Sequence, residues 1–543
     1  MVSATTVMSG DEAVALGALD AGIRYASAYP GTPATDIQET VIKQANPAYI
    51  RAIWSINEKV AYESALAVAI SGLRALVSMK QVGLNVAADA FLNSCPAGVN
   101  GGLVLAVGDD PECHSSQNKQ DTRHYRNLSG TLLLEPSTSQ EAYDMTREAF
   151  QLSEKFRLPV VIRLTTRTAY GCTPVKRREP EDIRAEMKWP KEPQRFFIVP
   201  TVSRRLFQRL FQLQADFGQV LSASRFGVCT VAAEARKLGF VSTGIGYSFA
   251  LEYAPAGSGI LKVAGEPFPD SEIASFVRSH REIIVLEEGD PLLEQRARSF
   301  ASPETTVHGR LSGHLKAVGE LQPHQIRQAI DGIAPPVNRI QFELPPRLPE
   351  ICQPCGYHKV FAALKPMEGI ATPSDIGCNS LGGLPPYSVM DGVWSMGSSI
   401  GVACGLAAIG HPRIVAIIGD STFYHAGIPP LIEAVHEGYR ITVLLLDNGT
   451  AAMTGGQGVP HGRATDSSKN RLDMIRLIEA LGVASCTPFD PHALGADGIR
   501  QLIEASFEKP GVKVLLYRSQ CGVYTPGYFT QTNPNKVPLE REA

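Results

Sequence analysis

The residues best suited to chemistry in this chain are two short polar sequences, Gly419-Asp420-Ser421 and Asp447-Asn448. Each closes an apolar run of strand length, residues 414–418 before the first and 441–446 before the second. Both runs are rich in Ile, Val and Leu, as parallel strands buried on two faces are. The intervening segment, residues 428–438, has helical spacing, so the whole reads as a βαβ unit. Its polar residues fall at the carboxyl ends of adjacent strands, where open α/β sheets bind ligands. A carboxylate and an amide there suit Mg²⁺, which takes few protein oxygens and completes its shell with phosphates. The expectation is a diphosphate cofactor held through Mg²⁺. Ordinary strand ends with polar caps are the bland alternative.

Ten cysteines supply a second signal. Cys352-Gln353-Pro354-Cys355 is a C-x-x-C, followed by Cys378 and, much later, Cys521. Alone, the C-x-x-C fits a zinc knuckle or a redox pair. Cys95, Cys113, Cys172, Cys229, Cys404 and Cys486 are expected to be small buried residues.

The elements that position these groups follow from periodicity. Residues from about 5 to 175 alternate strand and helix, with strands expected at 23–29, 75–79, 103–107 and 159–164 and helices at 58–71 and 139–156. This is the pattern of a parallel-sheet domain. Residues 173–200 are charged and Pro-rich, as a linker is. A smaller α/β segment covers about 200–335, and Pro335-Pro336 and Pro345-Pro346 bracket a further linker. The third domain, about 350–525, carries the Asp420 and Asn448 signature, and 526–543 reads as a polar tail. The expected fold class is α/β, with two doubly wound parallel-sheet domains and a smaller α/β domain between them.

Length and composition agree. A chain of 543 residues is too long for one core. It is 44% hydrophobic and 19% charged, ordinary for a globular α/β protein. The net charge of −3 gives no reason to expect nucleic acid. No apolar stretch reaches membrane-spanning length, and the N-terminal residues lack the pattern of a secretory signal. A cytoplasmic protein with free or metal-bound thiols is expected.

Longer motifs carry a resemblance. Gly449-Thr450-Ala451-Ala452-Met453-Thr454-Gly455-Gly456-Gln457 follows Asn448, while Ser374-Asp375-Ile376-Gly377-Cys378 and Met396-Gly397-Ser398-Ser399 precede it. Near the N-terminus stand Tyr29-Pro30-Gly31-Thr32-Pro33, Trp54-Ser55-Ile56-Asn57-Glu58-Lys59, Gly83-Leu84-Asn85-Val86-Ala87-Ala88-Asp89 and His114-Ser115-Ser116-Gln117-Asn118, then Asp121-Thr122-Arg123-His124-Tyr125. In these runs the chain resembles thiamine diphosphate enzymes. Among them it is similar to the large subunits of the indolepyruvate ferredoxin oxidoreductases, over nearly its whole length.

That resemblance implies much more than the spacing does. It implies a pyrimidine-binding domain over 1–175, a transketolase C-terminal-like domain over 200–335 and a diphosphate-binding domain over 350–525. Glu58 is implied to hydrogen-bond the aminopyrimidine and promote loss of the C2 proton. Thr32 and Arg123 are implied to hold the substrate carboxylate, a guanidinium being the best bidentate partner for one. Asp420, Asn448 and the carbonyl of Thr450 are implied to bind Mg²⁺. Gly377, Met396, Gly419, Ser421, Met453 and Thr454 join them around thiamine diphosphate. Cys352, Cys355, Cys378 and Cys521 are implied to ligate one [4Fe–4S] cluster, which needs four thiolates. The implied reaction is oxidative decarboxylation of an aryl- or branched-chain 2-oxoacid to an acyl-CoA, with coenzyme A as cosubstrate. A dimeric core within a hetero-oligomer is implied as well.

The sequence departs from the family in three places. The family's C-P-G-C followed by Pro-His or Gly-His reads Cys352-Gln353-Pro354-Cys355-Gly356-Tyr357-His358 here. A His near the cofactor is replaced by Gln81. No C-x-x-C-x-x-C-x-x-x-C-P run of a ferredoxin-like domain occurs in the sequence. A separate small subunit and an electron-carrier protein or domain are therefore expected partners. A non-oxidative thiamine-dependent lyase or acyl transferase, and a non-catalytic scaffold subunit, stay open as alternatives.

Overall fold

The structure is a computed structural model that describes residues 5–181, 186–230, 238–331, 349–462 and 470–524. Its contacts divide the chain into two compact units, Met1–Ile340 and Gln341–Ala543.

The first unit is built on a seven-stranded sheet. Its order is Gly265–Glu266, Leu132–Leu134, Val160–Thr165, Leu103–Asp109, Ala75–Lys80, Tyr25–Ala28 and Arg51–Trp54. All neighbours are parallel except Gly265–Glu266, which runs antiparallel to Leu132–Leu134. Every residue of Leu103–Asp109 and of Val160–Thr165 is buried, as expected where helices cover both faces of a parallel sheet. The helices Gly10–Asp20, Ser139–Phe156, Glu58–Ile70 and Gln81–Ala97 contribute to the two cores flanking it. Ser9 starts the first of them with a capping box: its hydroxyl accepts from Glu12 N, and Glu12 Oε2 accepts from Ser9 N.

A five-stranded sheet completes this unit. It is ordered Thr306–His308, Glu282–Leu286, Leu238–Ser242, Gly259–Lys262 and Val228–Thr230, and is parallel save for the last strand. The sequence separates this segment from the first sheet, yet the two pack as one unit. The strand Gly265–Glu266 leaves the middle segment to extend the larger sheet. A buried ion network ties them further: Arg163 donates to Asp109, Glu135 and the Glu288 carbonyl, and Arg123 reaches Glu287.

The second unit carries a six-stranded, wholly parallel sheet, in the order Gly392–Val393, Pro373–Ser374, Val415–Gly419, Thr442–Asp447, Lys513–Arg518 and Ser485–Phe489. Helices such as Ser398–Ala408 and Ile428–His436 line one side, while Tyr357–Leu364 and Pro491–Phe507 line the other. The α/β class with parallel-sheet domains is thus observed. Among the described residues no helix is long and apolar enough to cross a membrane.

Of the six cysteines expected to be buried, Cys95 and Cys404 are, and Cys486 is half-buried. Cys113, Cys172 and Cys229 are exposed. The first two lie in loops and the third on an edge strand, where a small side chain has nothing to pack beneath.

Candidate active site

In the second unit, parallel register decides which polar residues meet. Ile418 pairs with Leu445 and Gly419 with Leu446. The next residues on each chain, Asp420 and Asp447, therefore emerge side by side at the carboxyl end of the sheet. Gly449 N donates to both carboxylates, 3.0 Å to Asp420 Oδ2 and 3.0 Å to Asp447 Oδ1. His461 Nε2 lies 2.8 Å from Asp447 Oδ1 and 3.7 Å from Asp420 Oδ2. Asp420, Asp447 and His461 are all buried and each offers one ligand atom within 4.8 Å of the others.

The electrostatics of this cluster set two buried carboxylates against His461 and Arg518. Burial, and then the neighbouring Asp447 charge, push the Asp420 carboxyl up to about 7. Burial also opposes ionisation of Asp447, but His461 and Arg518 outweigh it and hold that carboxyl below its usual range. The same two carboxylates raise His461 against its own desolvation. Two buried carboxylate oxygens are the hard donors that Mg²⁺ prefers.

Asn448 and Thr450 lie on the loop that follows. Asn448 Nδ2 donates to the Tyr357 hydroxyl at 3.2 Å, and its Oδ1 accepts from Thr450 N at 3.1 Å. Thr450 is buried, and its hydroxyl donates to the Gln457 carbonyl at 2.9 Å. The Thr454 hydroxyl donates to Gln457 Oε1 at 2.6 Å. Met453 is exposed, and Ser421 and Met396 are half-buried. Gly377 has φ of 144°, a conformation that favours glycine. It stands beside the Asp420 turn, because the Thr422 hydroxyl donates to the Ile376 carbonyl at 3.0 Å.

The four cysteines singled out in the sequence lie near one another in this unit. Burial, and then the thiols of Cys355, Cys521 and Cys352, push the Cys378 thiol up to about 12. Burial and the thiols of Cys521 and Cys352 likewise raise Cys355. Four thiols are a donor set that a polynuclear cluster or a single Zn²⁺ can take.

In the first unit, Glu58 opens the helix Glu58–Ile70, capped by the Asn57 side chain, and is buried. A Cβ on Gly83 would fall 2.5 Å from Glu58 Oε1, so the carboxylate lies against a bare glycine backbone. Thr32 is half-buried on the loop after Tyr25–Ala28, and its carbonyl accepts from the Ser115 hydroxyl at 3.1 Å. Gln81, which replaces a family His, donates to the Ser116 hydroxyl at 3.1 Å.

Arg123, implied by the resemblance to meet the substrate carboxylate, starts the helix Arg123–Ser129. It is fully buried, and its guanidinium is committed within the protein. Nε and one terminal nitrogen grip Asp121 at 3.0 and 2.6 Å, and the other reaches Glu287 at 2.6 Å. The carbonyls of Glu288 and Asp290 accept as well. Asp121 is correspondingly held far below the carboxylate range against its desolvation. The burial of Arg123 depends on partners more than a hundred residues later in the chain, which spacing around position 123 could not indicate.

Two site neighbours are new. His461 lies in an irregular loop with no sequence signal. Tyr357, first read as a departure from the family pattern, is the hydrogen-bond partner of Asn448.

A parallel sheet presenting paired acidic groups and an amide at its strand ends defines a cofactor-binding α/β protein, and comparison with known proteins specifies the class. Residues 16–209 match the family profile described as pyruvate flavodoxin/ferredoxin oxidoreductase, thiamine diphosphate-binding. Residues 375–515 match the thiamine pyrophosphate enzyme, C-terminal TPP-binding domain. The indolepyruvate oxidoreductase subunit IorA of Methanothermobacter thermautotrophicus is 36% identical over 538 residues, covering 94% of this chain and 86% of that one. IorA of Thermococcus kodakarensis is 35% identical over 564 residues, covering 96% and 86%. Among solved structures, a 2-oxoglutarate:ferredoxin oxidoreductase from Magnetococcus marinus aligns with a TM-score of 0.49 at 15% identity, over 60% of this chain and 65% of that chain. The chain belongs to the IorA family of indolepyruvate oxidoreductase subunits, within the thiamine diphosphate-dependent 2-oxoacid oxidoreductases.

Proposed function

We propose that this chain is the thiamine-binding subunit of an enzyme that oxidatively decarboxylates an aryl or branched-chain 2-oxoacid, indolepyruvate-like, to an acyl-CoA. Thiamine diphosphate, when bound, supplies the carbanion chemistry that releases CO₂ from a 2-oxoacid. In this reading Asp420, Asn448 and the Thr450 carbonyl hold Mg²⁺ and through it the diphosphate. His461, hydrogen-bonded to Asp447, also faces the Asp420 carboxylate at 3.7 Å. Glu58 holds a proton for the aminopyrimidine, and Gly83 leaves its carboxylate room to reach a ligand. Gly377, Met396, Gly419, Ser421, Met453 and Thr454 complete the cofactor surroundings.

The oxidative branch rests on the four thiols of Cys352, Cys355, Cys378 and Cys521. Their mutual proximity is the observation that supports a [4Fe–4S] cluster. Two electrons must leave for each substrate oxidised to the acyl-CoA level, so an electron acceptor is required. The relatives are named as one subunit of an indolepyruvate oxidoreductase, and we propose a smaller partner subunit with an electron carrier here also.

The test is an iron, sulfide and thiamine assay on anaerobically purified protein, followed by indolepyruvate- and CoA-dependent reduction of a viologen dye with the partner subunit present. Near four iron atoms and one thiamine per chain, with dye reduction, is the expected result. Thiamine without iron, in a preparation that still decarboxylates, would favour a non-oxidative lyase or acyl transferase instead.

A further inference from the structure

The strand Gly265–Glu266, which the middle segment lends to the larger sheet, ends at a cleft of about 410 Å³. Arg126 reaches it from the helix Arg123–Ser129, and Leu292 and Gln295 from the helix Leu292–Phe300. Glu266, Pro267 and Phe268 form the wall between them. Clefts of about 300–1,000 Å³ that join apolar walls to a few placed polar groups are the usual form of a small-molecule site.

Two residues of these walls each hold a buried polar atom that has no hydrogen-bond partner among the described residues: Oε1 of Glu266 and Nε of Arg126. Glu266 is only 3% exposed. The rest of the Arg126 guanidinium is anchored, one terminal nitrogen donating to Gln214 Oε1 at 2.5 Å and the other to Asn127 Oδ1 at 3.5 Å. Each residue's charge favours the ionised form of the other, so the two stand within electrostatic reach, yet no ion pair joins them. Burial outweighs that help and pushes the Glu266 carboxyl up to about 8. A buried donor or acceptor left unpaired is costly, and each such atom calls for a partner. Asp270 and Arg296 stand at the same cleft but engage each other, Arg296 Nε donating to Asp270 Oδ1 at 2.6 Å.

We propose that this cleft binds a free α-amino acid with an apolar side chain. Its ammonium donates to the Glu266 carboxylate, its carboxylate accepts from Arg126, and its side chain lies against Pro267, Phe268 and Leu292. One small zwitterion supplies both partners at the short span that two mutually felt charges define. A simple acid or a simple amine supplies one of them and leaves the other group buried and unpaired. A polyanion such as a nucleotide would set negative charge against Glu266. Such binding does not depend on the 2-oxoacid reading above.

Isothermal titration of the full chain with L-phenylalanine, 3-phenylpropionate and phenethylamine reads the two contacts separately. L-Phenylalanine should bind saturably, and each analogue that lacks one charge about 10- to 100-fold more weakly, the loss expected of one hydrogen bond to a charged group. Glu266→Gln should abolish the advantage of L-phenylalanine over 3-phenylpropionate, and Arg126→Met its advantage over phenethylamine. Gln295 is exposed on the cleft wall. Gln295→Trp should fill the space and remove L-phenylalanine binding, which keeps the test decisive should the arginine variant fail to fold. Absence of saturable L-phenylalanine binding to the parent would overturn the assignment. Binding of L-phenylalanine that survives Gln295→Trp, or that responds to neither charge variant, would overturn it equally.

Discussion

The backbone N–H of Cys521 donates to the carbonyl of Asn448 at 3.2 Å. One hydrogen bond thus joins the thiol group to the loop of the proposed Mg²⁺ site. Because the bond is made by main-chain atoms, the Cys521 side chain can be removed without breaking it. Cys521→Ala should lose most of its iron while keeping thiamine at close to the parental stoichiometry. Parallel iron and thiamine assays on one preparation check this. Joint loss of both would mean that the two sites cannot be separated.

Asp420→Ala should abolish thiamine retention without unfolding the second unit, since it removes a carboxylate whose charge is opposed by burial and by neighbouring Asp447. Equilibrium dialysis against thiamine diphosphate and Mg²⁺, with circular dichroism as the fold control, reads the outcome. Retention at parental affinity would move the metal site elsewhere.

Arg123→Met should reduce stability and not substrate affinity. It leaves Asp121 and Glu287 buried without their main cation, and breaking a buried pair in this way costs about 3–5 kcal/mol. A large fall in melting temperature, with KM for the 2-oxoacid in the surviving protein near the parental value, is expected. A raised KM with unchanged melting would return Arg123 to the substrate site.

Glu266 sets a pH dependence. Burial pushes its carboxyl up to about 8, with Asp121 and Glu135 adding to the effect and Arg123 opposing it. In the unfolded chain the same group titrates near 4.3. The folded state therefore holds a proton that the unfolded state releases. The stabilisation is complete below about pH 4.3 and is lost as pH rises towards 8. Glu266→Gln, which cannot ionise, should gain stability relative to the parent between pH 6 and 8.5. Urea midpoints at the two pH values test this, and a constant difference between the proteins would contradict it.

The elements that were legible in the sequence are those buried on both faces. Val415–Gly419 and Thr442–Asp447 are seen as apolar runs because parallel strands bury every side chain, and the polar residue ending each run marks the site edge. Glu58 was visible at a helix start. The strand Gly265–Glu266 could not be seen, being two residues long and without an apolar pattern. The clustering of Asp447 with His461, and the enclosure of Arg123 by Glu287, depend on contacts 14 and 164 residues apart in sequence. Side-chain type favours an exposed arginine, and only the packing of the two sheets of the first unit decides otherwise.

The glycine at position 83 is constrained by a neighbour and not by its own backbone. Its φ is not among the positive values, so alanine is conformationally admissible there. The obstacle is the Glu58 carboxylate, which a methyl group would push aside. The two positions should therefore be inherited as a pair. In a lineage where the acid at position 58 has been lost, selection on position 83 relaxes, and alanine or serine can drift in. A larger residue at position 83 would require the side chain at position 58 to take another place.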